Sequence, residues 1–297
     1  MPSSKRLVLL NAEPFGFGPS SAIANIALKL HEANVELRYI GERHTLDLQK
    51  ALPYQKVYDI THLSEEERVT LLKKLQPECD LFLTAMDTTM AKQAKKVGLR
   101  TAVYDALAWY WPKLSSGIQN CDLYLAQNFF GVKERLIGAD LRTPKTIIVP
   151  PIVHPKQRAA TATKILVNLG GLQNPLWSVE QTVQYARLML DTVKAALPNE
   201  ELTICTSSAV AKGLDDINTH VYSRSEMIRI LEDTKYAIMT PGLGNIYEAA
   251  AYQIPTLWLP PANDSQGQQL DLLFEHNVAD ARIDWGDVTG KINYRQP

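Results

Sequence analysis

Cysteine is scarce in this chain: Cys79, Cys121 and Cys205 are the three, far apart in 297 residues. They make neither a metal-binding pair nor a disulfide framework, and each lies in or beside an apolar run, where an inert buried thiol is expected. Such sparse usage fits a reducing cytoplasm, which is the expected location. A surplus of one charge is also missing. Lys and Arg number 31 against 32 Asp and Glu, for a net charge of −1, with no dense basic cluster. Nucleic acid is therefore not an expected partner. Long apolar runs are absent, and no stretch approaches the ~18 residues of a membrane span. Lys5-Arg6 before Leu7–Leu10 imitates a signal peptide, but Asn11, Glu13 and Pro14 end the run too early. No Asp-x-Asp pair occurs, so no metal site is expected and no cofactor is implied.

What is present describes a globular protein. Hydrophobic residues are 45% and charged residues 21% of the chain, enough to build a core rather than stay disordered. The length suits two domains of roughly 150 residues. The Pro-rich, then Ala/Thr-rich stretch from Val149 through Pro150, Pro151 and Pro155 to about Thr163 reads as the connection. The expected domains are residues 1–155 and 156–297.

In the first half, Arg6–Asn11 reads as a buried strand that runs into Glu-Pro-Phe-Gly-Phe-Gly-Pro-Ser-Ser. A helix follows, with Ile23, Ile26, Ala27 and Leu30 on one face, and Pro19 with Ser20 or Ser21 as its initiators. Val35–Ile40 is the next strand. The glycines stop at Gly16-Phe-Gly18 and no acidic residue ends the second strand, so the dinucleotide fingerprint is incomplete and NAD is not expected. Further short apolar runs at Asp80–Thr84, Arg100–Tyr104, Asp122–Ala126 and Thr146–Val149 alternate with helical or loop segments, which builds a parallel sheet covered by helices. Ligands bind at the carboxyl ends of such strands, where Glu13, Asp87, Asp105 and Gln127 fall. Asp105 precedes Trp109, Tyr110 and Trp111, aromatics suited to walling a flat acceptor or a sugar ring. The same pattern equally describes an aspartate capping a turn above a core of aromatics. Asp87 reads as a helix N-cap. His44, His62 and His154 have no motif around them and read as surface or loop residues.

The second half is organised around Thr240–Leu270, TPGLGNIYEAAAYQIPTLWLPPANDSQGQQL. A short strand ends in Gly242-Leu-Gly244, and a helical pattern follows with Ile246, Ala249, Ala250 and Ile254; Asn245 suits its N-cap. A glycine turn opening a helix leaves amides and the positive dipole end facing one point, which is an anion site. Glu248, about one turn further in, suits ribose hydroxyls. After the strand Pro255–Leu259, a loop crowded with Asn263, Asp264, Ser265, Gln266, Gln268 and Gln269 suits sugar hydroxyls. Earlier, the strand Lys164–Asn168 ends in Gly170-Gly171, a second place for backbone amides, and the helix Val179–Leu197 follows.

PGLGNIYEAAAYQIPTLWLP…SQGQQ resembles the donor-binding signature of GT-B glycosyltransferases, nearest the group of the peptidoglycan N-acetylglucosaminyltransferase. The resemblance implies an α/β fold of two Rossmann-like domains facing a central cleft. It assigns Gly242 and Gly244 to the pyrophosphate, Glu248 to the ribose, and Gln266 with Gln269 to the donor sugar. Gly170 and Gly171 would bring further amides to the diphosphate, and Ser223, Arg224 and Met227 would cup the base. A narrower likeness, carried by PFGFGPSS, YDALAWYW and LAQNFFGVKERL, is to the cytosylglucuronate synthase group, which joins glucuronate from its UDP donor to cytosine. Related chains end with a helix that crosses back onto the first domain; the stretch after Ile283, with Gly286 and Gly290, does not read as a long helix.

The expected activity is thus an inverting, metal-independent transfer from a UDP-sugar. Helix N-termini would stabilise the leaving diphosphate, and an N-domain carboxylate would act as base, Asp105 first and Glu13 in reserve. A nucleotide-sugar hydrolase on the same scaffold is the alternative enzyme; that group's glycine loop usually carries a histidine, and Gly16-Phe-Gly-Pro19 has none. A non-catalytic nucleotide-sugar-binding partner is the alternative from another class.

Overall fold

Strand β1, Leu7–Ala12, is buried along its whole length, as a strand covered on both faces must be. Val8, Leu10 and Ala12 pack with Ile23 and Ala27 of helix α1 (Gly18–Glu32). On the opposite face Leu9 meets Ile40, Leu72, Phe82 and Met90. This period-two division places β1 inside a helix-covered sheet. The computed structural model describes residues 6–138, 144–153, 158–172, 176–279 and 281–288; His154, Pro155 and Gly290 lie outside them.

The chain divides into two units, Met1–Ile152 and Val153–Pro297. The first carries β2 (Glu36–Gly41), β3 (Lys56–Asp59), α2 (Glu65–Leu75), β4 (Leu81–Ala85), α3 (Thr88–Lys96), β5 (Thr101–Asp105), α4 (Ser116–Gln119), β6 (Leu123–Gln127), α5 (Val132–Gly138) and β7 (Lys145–Val149). Its strands pair in parallel in the order β3-β2-β1-β4-β5-β6-β7. The second carries β8 (Lys164–Asn168), α6 (Val179–Ala196), β9 (Leu202–Cys205), α7 (Ser208–Lys212), α8 (Arg224–Glu232), β10 (Thr234–Met239), α9 (Leu243–Tyr252), β11 (Thr256–Trp258), α10 (Asp264–Glu275) and β12 (Ala281–Arg282). Its parallel sheet runs β12-β11-β10-β8-β9.

In both sheets the strand order reverses once, where the helices on either side of the sheet part and leave a crevice at the strand ends. The reversal falls between β1 and β4 in the first unit and between β8 and β10 in the second. Among the described residues no helix is long and apolar enough to cross a membrane.

Several local expectations change. The Gln-rich segment after Pro261 is not a loop: Asn263 caps α10, its side chain accepting from the Gln266 amide at 2.9 Å. Neither Ser20 nor Ser21 caps α1. The cap position is Phe17, and the Ser20 hydroxyl donates to the Thr45 carbonyl at 2.9 Å. The pair β3 and α2 went unread, although Ser64-Glu-Glu-Glu67 is a capping box, with Ser64 Oγ accepting from the Glu67 amide and the Glu67 carboxylate returning to the Ser64 amide.

Candidate active site

In the second unit the register Met239↔Asn168 brings the ends of β10 and β8 side by side. The Thr240 amide donates to the Asn168 carbonyl at 3.1 Å. Gly170 turns with φ +64°, and a Cβ there would stand 3.3 Å from Thr240 Oγ1, so a side chain is disfavoured by both conformation and space. Asn168 Oδ1 accepts from the Gly170 amide at 2.9 Å, and its Nδ2 donates to Asn245 Oδ1 at 3.0 Å. Asn245 is not the cap of α9. Gly242 holds that position, and Asn245, three residues on, turns its Nδ2 back to the Thr240 carbonyl at 2.9 Å. The first bond of the helix runs from Ile246 to Gly242, so the amides of Leu243, Gly244 and Asn245 precede the intrahelical ladder. A Cβ at Gly244 would meet nothing within 4 Å; the helix end is open. Open amides at a dipole's positive end suit an anion.

Gln266 and Gln269 lie one turn apart on α10. Gln266 is the nearer to the glycine turn, its Nε2 3.9 Å from where a Gly242 Cβ would stand, and its Oε1 accepts from the Ala262 amide at 2.8 Å. Gln269 is 3% exposed and its Oε1 has no partner among the described residues. Glu248 is nearly enclosed and is paired with Arg224, which donates Nη1 to its Oε1. Ser223 caps α8 through a capping box with Glu226, and Met227 on the same helix is buried. Asn168 and Thr240 were not singled out from sequence. The available signal was a polar residue closing an apolar strand at its carboxyl end.

In the first unit the register Ala12↔Ala85 sets Glu13 and Asp87 at the reversal point, and the Glu13 amide donates to the Ala85 carbonyl at 2.9 Å. Asp87 caps α3, accepting from the Met90 amide at 2.9 Å. Glu42 follows β2 and is held by Arg68 in a two-pronged pair at 2.8 and 3.2 Å. Burial, then the charges of Asp87 and Glu42, push Glu13 from 4.5 up to about 7; burial likewise raises Asp87 to about 6. Arg68, and Arg43 at 3.9 Å, both pair with Glu42, and no such ion pair is made by Glu13 or Asp87 among the described residues. Glu13, partly exposed, is the one poised to exchange its proton near neutrality.

Asp105 is different. It is 2% exposed, with Oδ2 accepting from the Tyr124 hydroxyl and Oδ1 from the Leu107 amide, both at 2.8 Å. Burial raises its carboxyl above the ordinary range, and these two bonds oppose the rise. Both oxygens are committed, and the geometry is that of the turn cap set beside the catalytic reading. Trp109 packs against the core at the ends of β5 and β6 and against Phe129 at 5.2 Å between ring centroids, while Trp111 is exposed. His44, read as a surface or loop residue, is half-buried against the glycine loop: its Nε2 is 2.8 Å from the Gly16 carbonyl and its ring 5.1 Å from Phe17. Burial lowers its pKa. Among the described residues no group of three or more His, Cys, Asp or Glu is placed to hold a metal.

Two parallel, helix-covered units, each with its polar cluster at the reversal of strand order, define the class: the chain has the GT-B fold. No protein-family model matches it, and no curated protein matches it in sequence. Its likeness to known proteins is structural. LpCGTa in complex with UDP superposes with a TM-score of 0.62 at 11% identity, over 98% of this chain and 88% of that one. MurG of Acinetobacter baumannii gives 0.57 at 11%, over 96% and 87%. The glycosyltransferase SnogD from Streptomyces nogalater gives 0.57 at 16%, over 98% and 90%.

Proposed function

We propose that this protein is a glycosyltransferase that moves a sugar from a UDP-linked donor to a small acceptor, inverting the anomeric carbon and using no metal. The observation that carries the reading is the convergence of the Gly170 turn and the open end of α9, with Glu248 further along the same helix. Phosphate charge calls for the first two, ribose hydroxyls for Glu248, and a sugar for Gln266 and Gln269 on α10, the first of them beside the Gly242 turn. The similar structures include one described in complex with UDP, which agrees with the donor. The sequence likeness to cytosylglucuronate synthases supports UDP-glucuronate as donor and a cytosine-like ring nitrogen as acceptor.

In this reading Glu13 is the base. As the acceptor's nitrogen or oxygen attacks the anomeric carbon, its proton passes to Glu13. The bond from that carbon to the diphosphate oxygen breaks, and the electron pair leaves on UDP. Amides at the start of α9 take up the charge, while the Gly170 amide is bonded to Asn168 Oδ1 and shapes the turn beside them. Asp105, the first choice from sequence, gives way to Glu13 because its oxygens are already bonded. A hydrolase reading gains one observation, the His44 ring against the glycine loop. Incubation with a panel of UDP-sugars and candidate acceptors, followed by anomer analysis, separates the cases. An inverted glycoside supports transfer, free sugar alone makes water the acceptor, and binding without turnover leaves a silent binder.

A further inference from the structure

The contact between Arg224 and Glu248 has no part in the donor reading above, which gave Glu248 to the ribose and left Arg224 near the base. Arg224 is the first residue of α8, directly after the Ser223 cap, so the capping box fixes where its side chain begins. Its Nη1 donates to Glu248 Oε1, while its Nε is buried with no partner among the described residues. Glu248 keeps a small exposed fraction, 13% of its side chain. A carboxylate on a helix has freedom about three torsions, and a guanidinium on one oxygen removes most of it.

We infer that Arg224 is a positioning residue of the donor site: by occupying one oxygen of Glu248 it presents the other, fixed in direction, to the hydroxyls of the nucleotide's ribose. This rests on the donor reading and deepens it, because the preference for a ribonucleotide then depends on a residue of a different helix. Replacing Arg224 leaves the ribose contact possible but unaimed.

A double-mutant cycle read by calorimetry with UDP and 2′-deoxy-UDP tests this. Arg224→Met should weaken UDP binding roughly tenfold and 2′-deoxy-UDP binding much less, narrowing the preference for the ribonucleotide. Glu248→Gln should do the same, and the double variant should be no worse than Glu248→Gln alone. Additive losses, or equal losses for the two nucleotides, overturn the positioning role while the donor reading stands. A wild-type chain that binds neither nucleotide overturns both. Should Arg224→Met not fold, Arg224→Lys enters the same cycle: it keeps the charge without the planar fork and should lose part of the preference.

Discussion

Glu13 makes a prediction in two observables whose signs are opposed. Replacing it with Gln keeps the shape and removes the ionisation. A carboxyl raised from 4.5 to about 7 by folding holds its proton more tightly in the native state than in the unfolded one. Its contribution is complete below about 4.5, is lost as pH rises through about 7, and above that the ionised group burdens the fold. The rise corresponds to roughly 3 kcal/mol at 1.36 kcal/mol per unit; with part of Glu13 facing water, solvent screening reduces this to ~1–2 kcal/mol. Glu13→Gln should therefore raise the melting temperature by about 2–8 °C at pH ~8 and leave it unchanged near pH ~4. In activity the direction reverses. Wild-type kcat/KM should rise with pH through an apparent pKa near 7, and Glu13→Gln should lose roughly 10²–10⁴-fold and the limb with it. Asp87→Asn retains a capping side chain on α3 but deletes a neighbouring charge, so the limb should move to lower pH. Scanning calorimetry across pH beside a pH–rate profile gives both readouts. A Glu13→Gln protein of unchanged stability at high pH and normal turnover would refute the reasoning.

Three further outcomes are expected. Glu248→Ala should weaken UDP and UDP-sugar alike by about tenfold to a hundredfold, the worth of a hydrogen bond to a charged group; unchanged affinity by calorimetry in a folded variant removes Glu248 from the site. Asp105→Asn turns an N–H towards one of two donors, the Tyr124 hydroxyl or the Leu107 amide. It should lower stability in urea by ~1–3 kcal/mol while turnover of the folded fraction stays within a few-fold; selective loss of turnover would restore Asp105 as base. EDTA should leave activity intact if amide dipoles carry the diphosphate charge, and activity restored only by added Mg²⁺ or Mn²⁺ would contradict that.

How much of this was legible in the sequence depends on the range of the interaction involved. Burial on both faces writes an unbroken apolar run, so β1 was readable to within a residue, and alternation with helices implied parallel sheets. Glycine before a helix is a local signal too, and the α9 turn was found from it. The cap of that helix was misplaced because Asn245 serves a different partner: its side chain turns back to Thr240 and across to Asn168, 77 residues away. Gln266 and Gln269 were recognised as a cluster of amides but not as one helix face, since apolar spacing is weak where polar residues crowd the first turn. Which carboxylate is free was beyond sequence altogether. Asp105 and Glu13 both follow buried strands, and only the fold puts Tyr124 on one and the charges of Asp87 and Glu42 beside the other. Local chemistry determines which residue types stand at the strand ends; desolvation and charge, set by residues distant in the chain, decide how tightly each carboxyl holds its proton.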